Sequence, residues 1–310
     1  MTHQHNANSL FAAPCPPAQR REALLQLAAA HDPEFQAVLS IALKKMSNAP
    51  EAAWDGLWVS YKAGQIMGAV WVQRLPMNMA QLWLPLPGVE AGHVDLLLRA
   101  AHQWVTTHNI RLCHVEVSPQ TNPTEALLIA HGMQPLAHLD YLTGRSDQRL
   151  ALNKHTPLSL QPFSLLSNAE QLALLAAVGQ DSLDSSALRE LLSVEELLAG
   201  FYQQDPQAPR HWYAIHYQQA LVGVLLLAPR EALGRWELLL MGLAPEWRGQ
   251  GLGRALLNNA LQLAQHEGIE EVMLAVDKLN LPAKQLYRQA GFECYAEQRL
   301  LAWTGNHQGR

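Results

Sequence analysis

Apolar residues recur at helical spacing in two early segments, Arg20–Ala30 and Pro33–Lys45, and then give way to alternation. Leu57–Tyr61, a turn at Lys62-Ala63-Gly64-Gln65 and Ile66–Val72 predict a β-hairpin. The same figure returns far downstream as Trp212–Tyr217, Gln218-Gln219 and Ala220–Leu227, with Gly68 and Gly223 in matching positions. A second echo joins Pro119–Met133 (PQTNPTEALLIAHGM) to Asp277–Phe292 (DKLNLPAKQLYRQAGF). Each of these holds a strand end, an Asn-Pro-type helix start and a stop at Gly132 or Gly291. Two echoes in the same order imply that one fold occurs twice.

Gly144–Thr156 is polar and aperiodic, which places a domain boundary there and divides the chain into 1–150 and 157–310. Past it, Leu158–Phe163 alternates as a strand does. Ser167 with Glu170, and Ser193 with Glu196, have the spacing of capping boxes ahead of two helices. Between those helices lies Gly179–Ser186, rich in Asp and Ser. The second hairpin is then followed by strand Trp236–Leu243, a helix, strand Glu271–Val276, a helix and a final β segment, Phe292–Trp303. The pattern is a mixed α/β layer with helices packed on a sheet.

Composition narrows the function classes. The 310 residues suit two domains at ~100–200 residues each. Hydrophobic residues at 49% against 16% charged provide for real cores, and no apolar run is long enough to span a membrane. Met1–Ser9 is polar and Leu10–Pro17 is broken by prolines, unlike a signal peptide. Cys15, Cys113 and Cys294 are far apart, which fits a reducing, cytoplasmic setting and no cysteine metal site. A net charge of −5 with no basic cluster argues against nucleic acid as a partner. The fourteen histidines show no helical ligand spacing, so no metal is expected, and His3 and His5 read as part of a polar tail.

The densest chemical signal is Leu243–Arg254, LAPEWRGQGLGR. Gly249, Gly251 and Gly253 alternate up to a helix whose Leu252, Leu256, Ala260 and Leu263 share a face. Each glycine at a helix entrance costs ~1 kcal/mol against alanine. Bare N–H groups closing around an anion at the positive end of the helix dipole supply a reason, with Arg248 adding a fixed charge. No Gly-Lys-Ser/Thr follows, and Arg254 stands where a dinucleotide fingerprint needs its third glycine.

The run Arg248-x-x-Gly251-x-Gly253 behind Leu-x-Pro resembles the coenzyme A pyrophosphate motif of the GNAT superfamily of acyl-CoA-dependent N-acyltransferases. Asn280, Ala283, Leu286-Tyr287 and Gly291-Phe292 resemble that family's following segment, N-x-x-A-x-x-L-Y-x-x-x-G-F. The resemblance implies two tandem GNAT-like domains, each a mixed, mostly antiparallel sheet flanked by helices. It implies acetyl-CoA as co-substrate, held at Arg248, Gly249, Gln250, Gly251, Leu252, Gly253, Arg254 and Asn280. It also implies a gap between splayed strands, where the backbone of Met241, Gly242 and Leu243 meets the pantetheine arm and one N–H polarises the thioester.

By the same resemblance Glu237 is the candidate general base and Tyr287 the candidate acid for the departing thiolate. The bland readings are a strand-edge carboxylate and a packing ring; for Asn280 the bland reading is a helix cap. The family's other common base position, five residues before Asn280, is Ala275 here, which weakens a ribosomal-protein N-terminal acetyltransferase reading. Asp181 and Asp184 read as loop residues that could also meet a cationic amine, and Trp212, Trp236 and Trp247 as packing residues. In the first half, Pro87 aligned on Pro245 puts Glu90, His93 and Asp95 on Arg248, Gly251 and Gly253, and Leu128 replaces Tyr287. That half reads as a degenerate copy. The expected reaction moves an acetyl group to a primary amine, first of a small molecule and second of a peptide or protein N-terminus, in a ternary complex. A non-catalytic acyl-CoA-binding regulator is the other class.

Overall fold

A computed structural model of the chain describes residues 10–30, 50–119, 122–152, 157–184, 186–204 and 208–305. The expected helix Pro33–Lys45 and the tail histidines His3 and His5 lie outside the described residues. The chain folds as two compact units, Met1–Pro135 with Leu300–Arg310, and Leu136–Arg299.

The first unit holds β1 (Phe11–Pro14), α1 (Arg20–Ala29), β2 (Leu57–Lys62), β3 (Gln65–Leu75), β4 (Met79–Trp83), α2 (Ala91–Thr107), β5 (Leu112–Val117) and α3 (Asn122–Ala130). Its strands lie in chain order, antiparallel up to β4 and parallel between β4 and β5. Val70, Val72 and Leu82 of the sheet pack with Leu97, Leu98 and Trp104 of α2. Leu57, Trp71 and Trp83 form a separate apolar cluster with Leu24 and Leu27 of α1.

The second unit begins with β6 (Gln134–Arg145), followed by β7 (Ser159–Pro162), α4 (Asn168–Gly179), α5 (Ser186–Leu191) and α6 (Val194–Gln204). Then come β8 (Trp212–Tyr217), β9 (Ala220–Arg230), β10 (Arg235–Leu243), α7 (Leu252–His266), β11 (Glu271–Asp277), α8 (Leu281–Gln289) and the start of β12 (Glu293–Thr304), whose residues from Leu300 count with the first unit. Its sheet runs β6-β11-β10-β9-β8-β7, again with one parallel pair, β10 with β11, among the registered pairs. In α7, Leu252, Leu256 and Ala260 are buried and Leu263 packs beside them, as the apolar stripe requires. Both capping boxes are present: Glu170 N–H donates to Ser167 Oγ at 3.3 Å and Glu196 N–H to Ser193 Oγ at 3.2 Å, with each glutamate reaching back to its cap N–H.

The repeat is real down to its irregularities. The β2–β3 register slips just after Ser60↔Gly68 and the β8–β9 register just after Ile215↔Gly223, so the two matching glycines each sit at a β-bulge. Four secondary elements then follow each hairpin in the same sense. Both units are mixed α/β, with mostly antiparallel sheets flanked by helices.

The unit limits do not coincide with a boundary at Gly144–Thr156. Strand β6, from the chain's first half, lies in the second unit, and the chain's last residues, from Leu300, lie in the first. Gly144 is a strand residue whose missing Cβ leaves room for the Phe292 ring, 2.6 Å from where that atom would stand. Beyond it Leu150 exchanges two hydrogen bonds with the Asn258 side chain of α7, at 2.8 and 2.9 Å. No described helix is long and apolar enough to cross a membrane.

Candidate active site

Strands β10 and β11 run side by side only at Trp236↔Val272 and Glu237↔Met273. Beyond that pair β10 continues to Leu243 and β11 to Asp277 without further registry, so the two part in a wedge. On its other side β10 stays paired with β9 through Leu243↔Gly223, after a bulge between Leu238 and Leu240. The backbone of Leu239 to Leu243 that faces the wedge therefore has no neighbouring strand, and an unpaired sheet edge in a cleft is a docking rail for an amide-bearing ligand. Met241, Gly242 and Leu243 lie along it. Gly242 has its own steric reason: a Cβ there would stand 2.1 Å from Val178 Cγ1 of α4.

At the mouth of the wedge Pro245–Trp247 forms a single 3₁₀ turn, and the chain enters α7 through Gly249 (φ 72°) and the N-cap Gly251 (φ 84°). Both are left-handed, a region costly for residues with a Cβ, and open space surrounds the position a side chain would take. No side chain caps the helix, so its first N–H groups face outward without intrahelical acceptors at the positive end of the dipole. Gln250 folds back onto the Glu246 carbonyl at 2.7 Å, and Leu252 is buried beneath. Gly253 is different: its φ is not left-handed and a Cβ would meet Leu286 Cδ2 at an ordinary 3.6 Å. Arg254 reaches Gln289 of α8.

Arg248 does not stand free beside this turn. Its guanidinium donates to the Leu243 carbonyl and to three carbonyls at the end of α4. Glu237 is half-buried and clasped by Arg230, whose Nε donates to its Oε2 at 2.6 Å. Neither partner was read from the sequence. For Glu237 a signal existed, since Gly234 (φ 63°) closes a tight turn that folds Arg230 back toward it.

Tyr287 is buried on α8, tilted against Phe292 with ring centroids 5.7 Å apart. Burial, reinforced by the charge of Asp184, pushes its phenol well above the usual tyrosine range. The phenol therefore stays protonated throughout the neutral and mildly alkaline range, the state a proton donor needs. Asn280 caps α8 through Oδ1, which accepts the Ala283 N–H at 3.2 Å, and its Nδ2 donates to Asp184 Oδ1 at 2.9 Å. The cap and a second contact are thus compatible. Trp212 and Trp236 are buried, and Trp247 packs edge-on to Tyr217.

Elsewhere in this unit His138, Asp140 and Glu297 bring ligand-type atoms within 4.8 Å of one another. Lys284 already pairs with Asp140 and Lys278 with Glu297 (2.7 Å), so two ammonium groups balance the carboxylates.

The first unit has the same strand divergence, with β4 and β5 in register from Met79↔Leu112 to Gln81↔His114. Its turn differs. Helix α2 starts at Ala91, four residues past Pro87, where α7 starts seven past Pro245, so the cap positions that correspond are Glu90 and Gly251. This corrects the alignment by proline, which put Glu90 on Arg248. The shorter turn leaves a carboxylate, paired with Lys62 at 3.2 Å, at the helix entrance. His93 is fully buried within α2, and Asp95 is held by Arg99 and His131.

Residues 181–292 match the family model described as the Acetyltransferase (GNAT) family. Among curated relatives, a mycothiol acetyltransferase of Thermobifida fusca is 39% identical over 85 residues, which is 27% of this chain and 24% of that protein. Another, of Paenarthrobacter aurescens, is 32% identical over 117 residues, 38% of this chain and 30% of that protein. The chain thus spans about a quarter to a third of the length of these relatives. Among solved structures, a GCN5-related N-acetyltransferase from Sphaerobacter thermophilus aligns over 95% of both chains with a TM-score of 0.65 at 18% identity. A tandem GNAT protein from the clavulanic acid biosynthesis pathway aligns over 97% of this chain and 100% of its own, with a TM-score of 0.55 at 16% identity. At such identities the likeness is one of fold, and it extends over both units.

Proposed function

We propose that this chain, whose residues 181–292 match the acetyltransferase (GNAT) family model, transfers an acetyl group from acetyl-CoA to a primary amine of a small molecule. The observation that carries the reading is the wedge between β10 and β11 with the glycine turn at its mouth. In this reading the pyrophosphate rests on the N–H groups of Gly249, Gln250, Gly251, Leu252 and Gly253, and Arg254 adds a positive charge at the start of α7. The pantetheine arm lies along Met241, Gly242 and Leu243, and a β10 N–H polarises the thioester carbonyl where negative charge develops.

The acceptor amine, in a ternary complex, attacks that carbonyl and its proton passes to Glu237, directly or through water. The tetrahedral intermediate collapses, the C–S bond breaks, and Tyr287 protonates the departing thiolate. Because Arg230 clasps Glu237, the carboxylate works as base only as that contact loosens or a water relays the proton. The name of the sequence relatives, mycothiol acetyltransferase, supports a small-molecule acceptor. The first unit, with Glu90 at its helix entrance, is a degenerate copy that holds no coenzyme A.

The test is a panel of small amines, amino sugars and peptide N-termini incubated with acetyl-CoA while free thiol is followed. Thiol release that depends on a small amine supports the proposal. Release only with peptides moves the acceptor class, and tight coenzyme A binding with no release from any amine points to a binding protein.

A further inference from the structure

The guanidinium of Arg248 is spent on backbone. Nε donates to the Leu243 carbonyl at 2.9 Å, Nη1 to that of Asp181 at 3.1 Å, and Nη2 to those of Val178 at 2.9 Å and Gln180 at 2.8 Å. Helix α4 ends at Gly179 with Gln180 as its cap, so the Val178 and Gln180 carbonyls are ones that a helix end leaves without N–H partners, at the negative end of its dipole, and Asp181 follows directly. A planar fork of five N–H groups suits several divergent acceptors, which a lysine's point charge does not. Asp181, with φ 51°, is held in a left-handed conformation unusual for a residue with a side chain. On the opposite wall of the wedge, Asn280 holds Asp184 of the same loop. The loop from Gly179 to Asp184 is therefore tied on both sides by residues that introduce α7 and α8, and the charge of Asp184 acts on the buried Tyr287 phenol.

We propose that Arg248 is a positioning residue that pins the loop 179–184 to the glycine turn, and that it does not act as a phosphate ligand. Occupation of the turn and placement of the loop that borders the reacting end are thereby coupled. The coupling rests on the coenzyme A reading above; the pin itself needs no ligand.

Hydrogen–deuterium exchange of the full chain, free and with coenzyme A, separates the two for Arg248→Lys and, should that variant not fold, Arg248→Gln. Slow exchange in the middle of α7 serves as the internal sign that the fold is intact. Without ligand, amides of 178–184 should exchange ~10-fold faster or more in the variant, as expected when a local opening loses its tether. Coenzyme A should still bind Arg248→Lys within about threefold by calorimetry, but should no longer protect 178–184 as it does in the wild type. Unchanged exchange in the free variant overturns the pin. An affinity loss of about 30-fold with unchanged exchange shows Arg248 to be a phosphate ligand instead. A wild type that does not bind coenzyme A removes the cofactor reading and the coupling, while exchange in the free protein still decides the pin.

Discussion

Single residues in the site answer to different constraints, and four of them separate cleanly. Gly251 needs its left-handed φ and open surroundings, whereas Gly253 sits in the first turn of α7 with ordinary space for a methyl group. Gly253→Ala should therefore raise the thermal midpoint, by the order of the ~1 kcal/mol that separates glycine from alanine in a helix, and leave coenzyme A binding nearly unchanged. Gly251→Ala should lose about 1 kcal/mol or more through strain and bind coenzyme A more weakly. Calorimetry with thermal melts checks both, and equal effects at the two positions would refute the distinction. Tyr287 makes a second case. Its phenol titrates above the usual range in the folded state and near ~10 in an unfolded chain. The group therefore contributes stability that is fully present below pH ~10 and is lost as pH rises from there toward the folded value. Tyr287→Phe should show a shallower alkaline fall in stability than the wild type. With an acceptor in hand, the same variant and Glu237→Gln should each lower kcat by ~10²-fold or more while coenzyme A affinity stays within a few-fold. A Glu237 that only pairs with Arg230 would instead cost stability and spare turnover per folded molecule.

At the level of elements, strand β6 decides what the second unit can do alone. It pairs with β11 along the whole of that strand, from Leu139↔Asp277 to Arg145↔Glu271, and buries Leu142 in the core that also holds Leu256, Leu274 and Tyr287. A fragment of residues 157–310 lacks this strand. It should be insoluble or aggregate, because β11 is left with a long apolar open edge, whereas a fragment from about residue 134 should fare better. A soluble, monomeric and fully folded 157–310 by circular dichroism and size exclusion would show β6 to be dispensable. Local elements were readable from sequence, since hairpins, capping boxes and the glycine turn are short-range and carry their own residue signatures. Partners across the sheet were not readable. Nothing in Gln134–Arg145 distinguishes a strand that pairs within its own half from one that pairs with β11, because alternation fixes a face and not a neighbour. The same limit applies to Arg248, whose motif spacing is local while its acceptors on α4 lie about 70 residues earlier.

Over the whole molecule, the proposed function turns on number, one anion cradle in a duplicated fold. The duplication of the fold was foreseeable from the two echoes, and the likeness in fold to a GCN5-related N-acetyltransferase and to a tandem GNAT protein extends over nearly the whole chain. What the echoes could not fix was the length of the first turn, three residues shorter and ending on Glu90 at the helix cap. A carboxylate at that entrance, exposed and paired with Lys62, sets negative charge beside the helix start and disfavours a pyrophosphate there. Among the described residues, a glycine turn at the mouth of a strand wedge, Gly249 to Gly253, belongs to the second unit. Titration of coenzyme A into the full chain by calorimetry, alongside Gly251→Asp, measures this most directly. One site per chain is expected, lost in the variant while its fold persists. Two equivalent sites, or one site untouched by Gly251→Asp, would contradict it.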